Sequence, residues 1–296
     1  MYLLTGITDE AADRIEDQVA VLHTLGWSAM ELRTVDSKLA HELTDEEFSR
    51  VADYLEEQQI SVPCFASGIA NWAKPVHEDF NVTKSAVKRS ITRMNRLGSK
   101  LVRIMSYQVL QDADGRILED QMEEERFRRL NWVTQAFLDQ GMTPVHENCH
   151  TYGGLSSSHT LRMLEHCPGM KLVFDTGNPP ITIDADSPFP YTAQNSFEFY
   201  NAVKEHVVHV HVKDAYWSSD LEKVEHYTFP GEGRGDVRKI LAALQQDGYK
   251  GYYSIEPHME VVFHDSKAVS TKDRRIANFV EYGRRIERLL AETKPH

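Results

Sequence analysis

The sequence predicts an α/β chain folded as a single (β/α)8 TIM barrel. Apolar runs and amphipathic, charged stretches alternate from one end to the other, eight of each, which implies a parallel sheet covered by helices. Five of the charged stretches end in Gly directly before an apolar run, at Leu25-Gly26-Trp27, Leu97-Gly98-Ser99, Gln140-Gly141-Met142, Pro168-Gly169-Met170 and Asp247-Gly248-Tyr249. Gly just past a helix is the usual left-handed stop before a buried strand. An open doubly wound sheet is the alternative. Against it, no GxGxxG follows the first run, and polar clusters stand at many run ends and not at one crevice.

In order, a strand near 2–7 precedes a helix near 9–25 that stops at Gly26. A strand near 28–33 and a helix near 44–58 follow, then a strand near 60–66 ending Phe65-Ala66-Ser67-Gly68 and a helix near 83–97. The fourth strand, 101–106, leads through Tyr107 to a helix near 119–140, whose run Glu123-Glu124-Glu125-Arg126-Phe127-Arg128-Arg129 reads as a solvated face with i,i+4 pairs. Strand 142–148 and helix 158–166 come next, then strand 171–176. Pro179-Pro180 through Pro190 is a loop expected to wall a site. Helix 195–205, strand 207–213, helix 236–247, strand 251–256 and helix 268–293 complete the count. The aromatics Trp132, Phe137, Phe197, Phe199 and Tyr200 fall at spacings that suit packing.

The chain has 296 residues, 41% of them hydrophobic, and a formal charge of −12. Barrels of this class run to about 250 residues or more as one unit, so residues 1–296 are read as one domain. The acidity opposes nucleic-acid phosphate or an anionic membrane as partner. Met1-Tyr2-Leu3-Leu4-Thr5-Gly6 shows no basic segment followed by an apolar one, so no signal peptide is expected. No apolar run approaches the ~20 residues that span a bilayer. Cys64, Cys149 and Cys167 lack CxxC spacing, which suits a reducing, cytoplasmic setting.

The stretch Val207-Val208-His209-Val210-His211-Val212-Lys213-Asp214 alternates like a strand and puts His209 and His211 on one face. Such a pair is either a hydrogen-bonded structural couple or a source of ligands and proton carriers. In a barrel, chemistry sits at the C-terminal strand ends. There the fifth strand offers Glu147, the sixth Asp175, the seventh His211 and the eighth Glu256. Each alone could cap a helix or sit in a core. Together, three carboxylates and an imidazole need a cation, because close like charges cannot all stay ionised cheaply. The set suits one divalent ion among Mn²⁺, Co²⁺, Mg²⁺ and Zn²⁺.

These blocks resemble the xylose isomerase-like barrel superfamily of sugar isomerases and epimerases, which includes D-tagatose 3-epimerase, hydroxypyruvate isomerase and inosose dehydratase. The matching pieces are Glu147-Asn148, Phe174-Asp175-Thr176-Gly177-Asn178, His209-Val210-His211-Val212-Lys213-Asp214, Gly231-Glu232-Gly233-Arg234-Gly235-Asp236 and Glu256-Pro257. The resemblance implies that Glu147, Asp175, His211 and Glu256 bind the metal. It implies further that Glu147 and Glu256 act as acid and base on opposite faces of a sugar or keto-sugar, next to a ketone, through a stabilised enediolate. A homo-oligomer is a further family expectation. Asn178 stands where many members carry a substrate-contacting His, and Trp217 where ketose epimerases carry an Arg.

Asn178, His150, His209, Arg234, Trp72 and Tyr107 are the candidate substrate contacts. His150 could equally be a solvated loop residue. Glu31 and Arg33 could pair with each other or meet a substrate oxygen. Arg234 and Lys213, with the Gly231–Gly235 loop, could meet a phosphate. Cys149 lacks a base partner for nucleophilic work. The leading function is a metal-dependent isomerase or epimerase, and a lyase on the same site is the alternative. An endonuclease of the same barrel type is disfavoured by the acidity and by the lack of His at the ends of the third and fourth strands. A non-catalytic sugar-binding barrel is the fourth reading.

Overall fold

Gly26 (φ 74°) and Gly98 (φ 71°) close their helices in the left-handed conformation, and the other three predicted stops, Gly141, Gly169 and Gly248, also have positive φ. Each turns the chain from helix into strand where a Cβ would be strained. The computed structural model describes residues 2–219, 222–260 and 271–294. Eight strands result: β1 (Leu3–Gly6), β2 (Ala29–Leu32), β3 (Ser61–Ala66), β4 (Leu101–Ile104), β5 (Thr143–Glu147), β6 (Lys171–Asp175), β7 (Val207–Val212) and β8 (Tyr252–Ile255). They alternate with α1 (Ile15–Leu25), α2 (Asp45–Glu57), α3 (Phe80–Leu97), α4 (Glu123–Leu138), α5 (Ser157–His166), α6 (Ser196–Val203), α7 (Val237–Gln246) and α8 (Lys272–Glu292).

The strands pair in parallel in the order β1-β8-β7-β6-β5-β4-β3-β2. A parallel bridge between Ile7 and Glu31 joins the two ends of that order. The chain is thus a (β/α)8 TIM barrel, as the alternation predicts. Most of the apolar core lies between strands and helices. Cys64, Val145 and Val173 form a small separate apolar layer, with Leu101 and Val208 packed against it. Above them the lumen is polar, because Glu31, Arg103, His209 and His211 point into it, all buried.

Local chemistry sets the helix starts. Thr44 and Glu47 form a reciprocal capping box at α2, and Asn195 accepts from Glu198 N at α6; such caps are worth about 1 kcal/mol each. The run in α4 carries ion pairs, Arg129 with Glu125 at i,i+4 and Arg128 with Glu125 at i,i+3. It is not a solvated face throughout: Arg126, Phe127 and Arg129 are buried, Arg126 donating to the backbone carbonyls of Ser106, Gln108 and Gln121.

Several boundaries differ from expectation. The stretch read as helix 9–25 begins as a single 3₁₀ turn, Thr8–Glu10, and α1 starts only at Ile15. The reason is ionic: Asp9 and Glu10 are drawn into the barrel mouth by Arg33. The fourth strand stops at Ile104, and the helix after it starts four residues late, at Glu123. Two hairpins were not anticipated, Thr34–Val35 with Lys38–Leu39 and Asp214–Trp217 with Glu225–Thr228. Residues 268–270 of the predicted last helix lie outside the described residues. No described helix is long and apolar enough to cross a membrane.

Candidate metal centre and cavity

Four neighbouring strands deliver the four predicted ligands to one point. Glu147 and Asp175 end β5 and β6, His211 is the fifth residue of β7, and Glu256 directly follows β8. Asp175 and His211 are register partners across β6 and β7. One ligand atom from each of the four lies within 4.8 Å of those of the others, and all four residues are buried. His211 Nδ1 is 3.7 Å from Glu147 Oε1, 3.9 Å from Asp175 Oδ2 and 3.5 Å from Glu256 Oε2.

Neighbours hold each group in place. Asp175 Oδ1 accepts from the backbone N–H groups of Gly177 and Asn178, both at 2.8 Å. The Asn148 side chain brackets the Asp175 backbone, donating to its carbonyl and accepting from its N–H. Asn178 Nδ2 donates to Glu147 Oε1 at 3.1 Å. Arg103 pairs with Glu147 Oε2 at 3.1 Å. Arg33 pairs with Glu256 Oε1 at 2.8 Å and also with Asp9 and Glu10. Lys213 donates to Glu256 Oε2 at 3.2 Å and stands 3.1 Å from Asp175 Oδ2 without hydrogen-bond alignment.

The protonation states follow from this crowding. Burial raises the Glu147 carboxyl, but the Arg103 guanidinium and the nearby His211 imidazole bring it down to about 2. Burial likewise raises Glu256, and Lys213, His258 and His211 hold it well below the ordinary carboxylate range. Asp175 goes the other way: burial lifts it, Lys213 opposes, and the carboxylates of Glu256 and Glu147 leave it at about 7. A carboxyl raised by burial and by two neighbouring carboxylates marks a site short of positive charge. The residues fit a divalent cation on two further counts. His211 Nδ1 and Asp175 Oδ2 are buried with no hydrogen-bond partner, and three carboxylates with one imidazole form a suitable donor set.

Glu147 and Glu256 of the centre line a cavity of about 830 Å³, large enough for a small polyol, while Asp175 and His211 lie buried behind them. Glu147, Glu256, Asn178, His150 and Trp72 line it, as do Arg33, Arg103, Lys213 and the hairpin residues Glu225 and Tyr227. Trp72 is 43% exposed at its rim. Ile181, from the loop expected to wall the site, lines it too.

Three predicted substrate contacts fall elsewhere. His209 is fully buried and does not line the cavity; its Nε2 faces Glu31 Oε2 at 2.8 Å. Tyr107 is also fully buried, its hydroxyl 3.2 Å from Thr83 Oγ1. Arg234 sits in the Gly-rich loop, outside the lining. That loop is no phosphate cradle. The N–H groups of Gly231, Gly233 and Gly235 all donate to the Asp214 carboxylate, at 2.8, 3.0 and 2.8 Å. The anion that fills this nest is the chain's own. Nor do Glu31 and Arg33 pair with each other; Glu31 faces the two histidines and Arg33 faces three carboxylates.

Asp9, Glu10 and Arg103 escaped the sequence reading. A lone Arg inside the apolar strand Leu101–Ile104 was the available signal, since a buried cation demands a partner. The Cys149 thiol lines the cavity, but burial and Glu147 push it well above its ordinary range, so it stays protonated.

The fold and this centre define a class, and the sequence agrees: the chain belongs to the Xylose isomerase-like TIM barrel family, which it matches over residues 19–277. No curated protein matches it. Among solved structures it is similar to a D-tagatose 3-epimerase-like protein, at 16% identity over 98% of each chain with a TM-score of 0.72. It is also similar to D-allulose 3-epimerase from Methylomonas sp. in complex with D-allulose, at 13% identity over 96% of each chain with a TM-score of 0.67. A third is a Xylose isomerase-like TIM barrel protein from Mycobacterium smegmatis in complex with magnesium, at 12% identity over 99% of this chain and 98% of that one, with a TM-score of 0.67.

Proposed function

We propose that the protein is a divalent-metal-dependent isomerase or epimerase of a sugar. The observation that carries this is the convergence of Glu147, Asp175, His211 and Glu256, ligand atoms within 4.8 Å of one another, with Glu147 and Glu256 lining the cavity. Those four side chains would hold one Mn²⁺, Co²⁺, Mg²⁺ or Zn²⁺. Such an ion supplies Lewis-acid charge that makes the C–H beside a ketone acidic. The relatives named above, an epimerase with D-allulose and a protein with magnesium, support the same reading.

The chain's own groups supply the rest. Glu147 and Glu256 are both held ionised, so either can take a proton from carbon. Removal by one and return by the other inverts the centre; return to the adjacent carbon isomerises. Arg103 and Asn178 fix Glu147 at its two oxygens, and Arg33 and Lys213 do the same for Glu256. Trp72 offers a flat apolar wall at the rim, and the Asp214–Trp217 hairpin lays Tyr227 along the cavity.

The test is incubation with Mn²⁺ and a panel of unphosphorylated and phosphorylated ketoses in D2O. Deuterium at one carbon-bound position, with the mass otherwise kept, is the expected result. An unsaturated product would place the protein among the lyases instead. Absence of exchange from every keto-sugar would remove the proposal.

A further inference from the structure

We propose that Glu31 is a positioning residue for the metal centre, its one carboxylate receiving Nε2–H from both histidines of β7 and so turning the His211 Nδ1 lone pair onto Glu147, Asp175 and Glu256. This rests on the metal reading above. Glu31 lies on β2, which the ring separates from β7 by β1 and β8, so the contact crosses the lumen. Glu31 Oε2 is 2.8 Å from His209 Nε2. His211 Nε2 is 3.1 Å from each Glu31 oxygen. All three side chains are fully buried. The two rings meet edge to face at 5.6 Å, which limits rotation of either one.

Hydrogen-bond inventory makes the carboxylate necessary. It offers two acceptor oxygens and no donor, so both imidazoles must present N–H toward it. With His211 Nε2 committed to Glu31, Nδ1 is the ring atom that faces the carboxylate cluster, where it has no hydrogen-bond partner and would be the ligand atom once an ion is bound. A glutamine would offer one acceptor and one donor. One imidazole would then turn to the opposite tautomer, and if it were His211, an N–H would point at the ion. Partners that orient a metal-bound His in this way are typically worth 10- to 100-fold in metal affinity.

The experiment uses Zn²⁺, which is diamagnetic, as the probe. Its affinity is measured by calorimetric competition for the wild type, Glu31→Gln and His209→Asn. Proton positions are read from imidazole ¹H–¹⁵N spectra of the Zn²⁺-loaded wild type. The expected spectrum shows His211 with its proton on Nε2 and none on Nδ1. Glu31→Gln should bind Zn²⁺ roughly 10- to 100-fold more weakly, while His209→Asn, which leaves Glu31 facing His211, should stay within about threefold. Unchanged affinity in a folded Glu31→Gln, or a His211 proton found on Nδ1, would overturn the proposal. If Glu31→Gln does not fold, the wild-type spectrum decides. A wild type that takes up neither Zn²⁺ nor Mn²⁺ would sink the metal reading itself, a failure distinct from an indifferent Glu31.

Discussion

The ammonium of Lys213 stands 3.1 Å from Asp175 Oδ2, inside the barrel and only 3% exposed. It also donates to Glu256, so one side chain supplies fixed positive charge to two of the four clustered groups. Burial would lower the Lys213 ammonium, but Asp175 and Glu256 hold it well above its ordinary range. Lys213 is therefore a permanent cation beside the place where a divalent one would bind.

That arrangement gives opposite signs for the two states of a Lys213→Met variant. Without metal, the variant leaves buried carboxylates uncompensated, and losing one partner of a buried pair costs about 3–5 kcal/mol. With metal, a competing positive charge is gone. The Tm of the metal-free variant should fall, and the Tm gain on adding Mn²⁺ should exceed that of the wild type. Calorimetric melting with and without Mn²⁺ reads both quantities. An equal or smaller gain would show that Lys213 does not compete for the site.

Glu147 and Glu256 have separate anchors, Arg103 with Asn178 for the first and Arg33 with Lys213 for the second. Separate anchors suit two groups working from different sides of a substrate. Glu147→Gln and Glu256→Gln, each checked for bound metal, should lower interconversion of two epimers by at least roughly 100-fold. Each should still wash deuterium into one epimer at best, and into a different epimer in the two variants. Full interconversion in either one would remove that residue from the acid–base pair.

Much of the barrel was legible because its signals are local. Gly26 and Gly98 announce helix ends. The four ligand candidates were legible because each sits at a strand end, and chain order alone puts β5 to β8 side by side. What lay hidden was pairing across the lumen. Nothing local links Glu31 to His209, 178 positions away, or Arg33 to Glu256, 223 away. The same blindness turned Asp9 and Glu10 into a helix start and gave the Gly231–Gly235 loop to an external anion, when Asp214, 17 residues earlier, fills it.

The Asp214 nest has a steric consequence. A Cβ built on Gly233 would lie 2.3 Å from Asp214 Oδ1 and 2.9 Å from Ala215 N. Neither atom can give way easily, because Asp214 is held by four backbone N–H groups. Gly233→Ala should destabilise the fold by about 1–3 kcal/mol, the usual cost of overpacking. Because the hairpin that starts at Asp214 carries Tyr227 and Glu225 into the cavity wall, KM should rise more than kcat falls. Denaturant unfolding and steady-state kinetics test the two parts.

His41 gives a pH dependence that is independent of the metal centre. Its ring is 3% exposed. Burial lowers the imidazole to about 4, with Arg89 and Lys74 adding to the effect. The folded chain therefore binds this proton less readily than the unfolded chain, whose His titrates near 6.5. The sign follows: the contribution of neutral His41 is complete above about pH 6.5, erodes as the unfolded state takes up its proton, and is lost by about pH 4. A shift of this size corresponds to on the order of 3 kcal/mol. His41→Gln cannot titrate, so its stability relative to the wild type should rise as pH falls from about 6.5 to 4 and be flat above. Carboxylates titrate in the same window in both proteins, so the difference between their denaturant midpoints isolates His41. A difference that does not change between pH 7 and pH 4 would show that the ring is hydrated and charged in the folded chain.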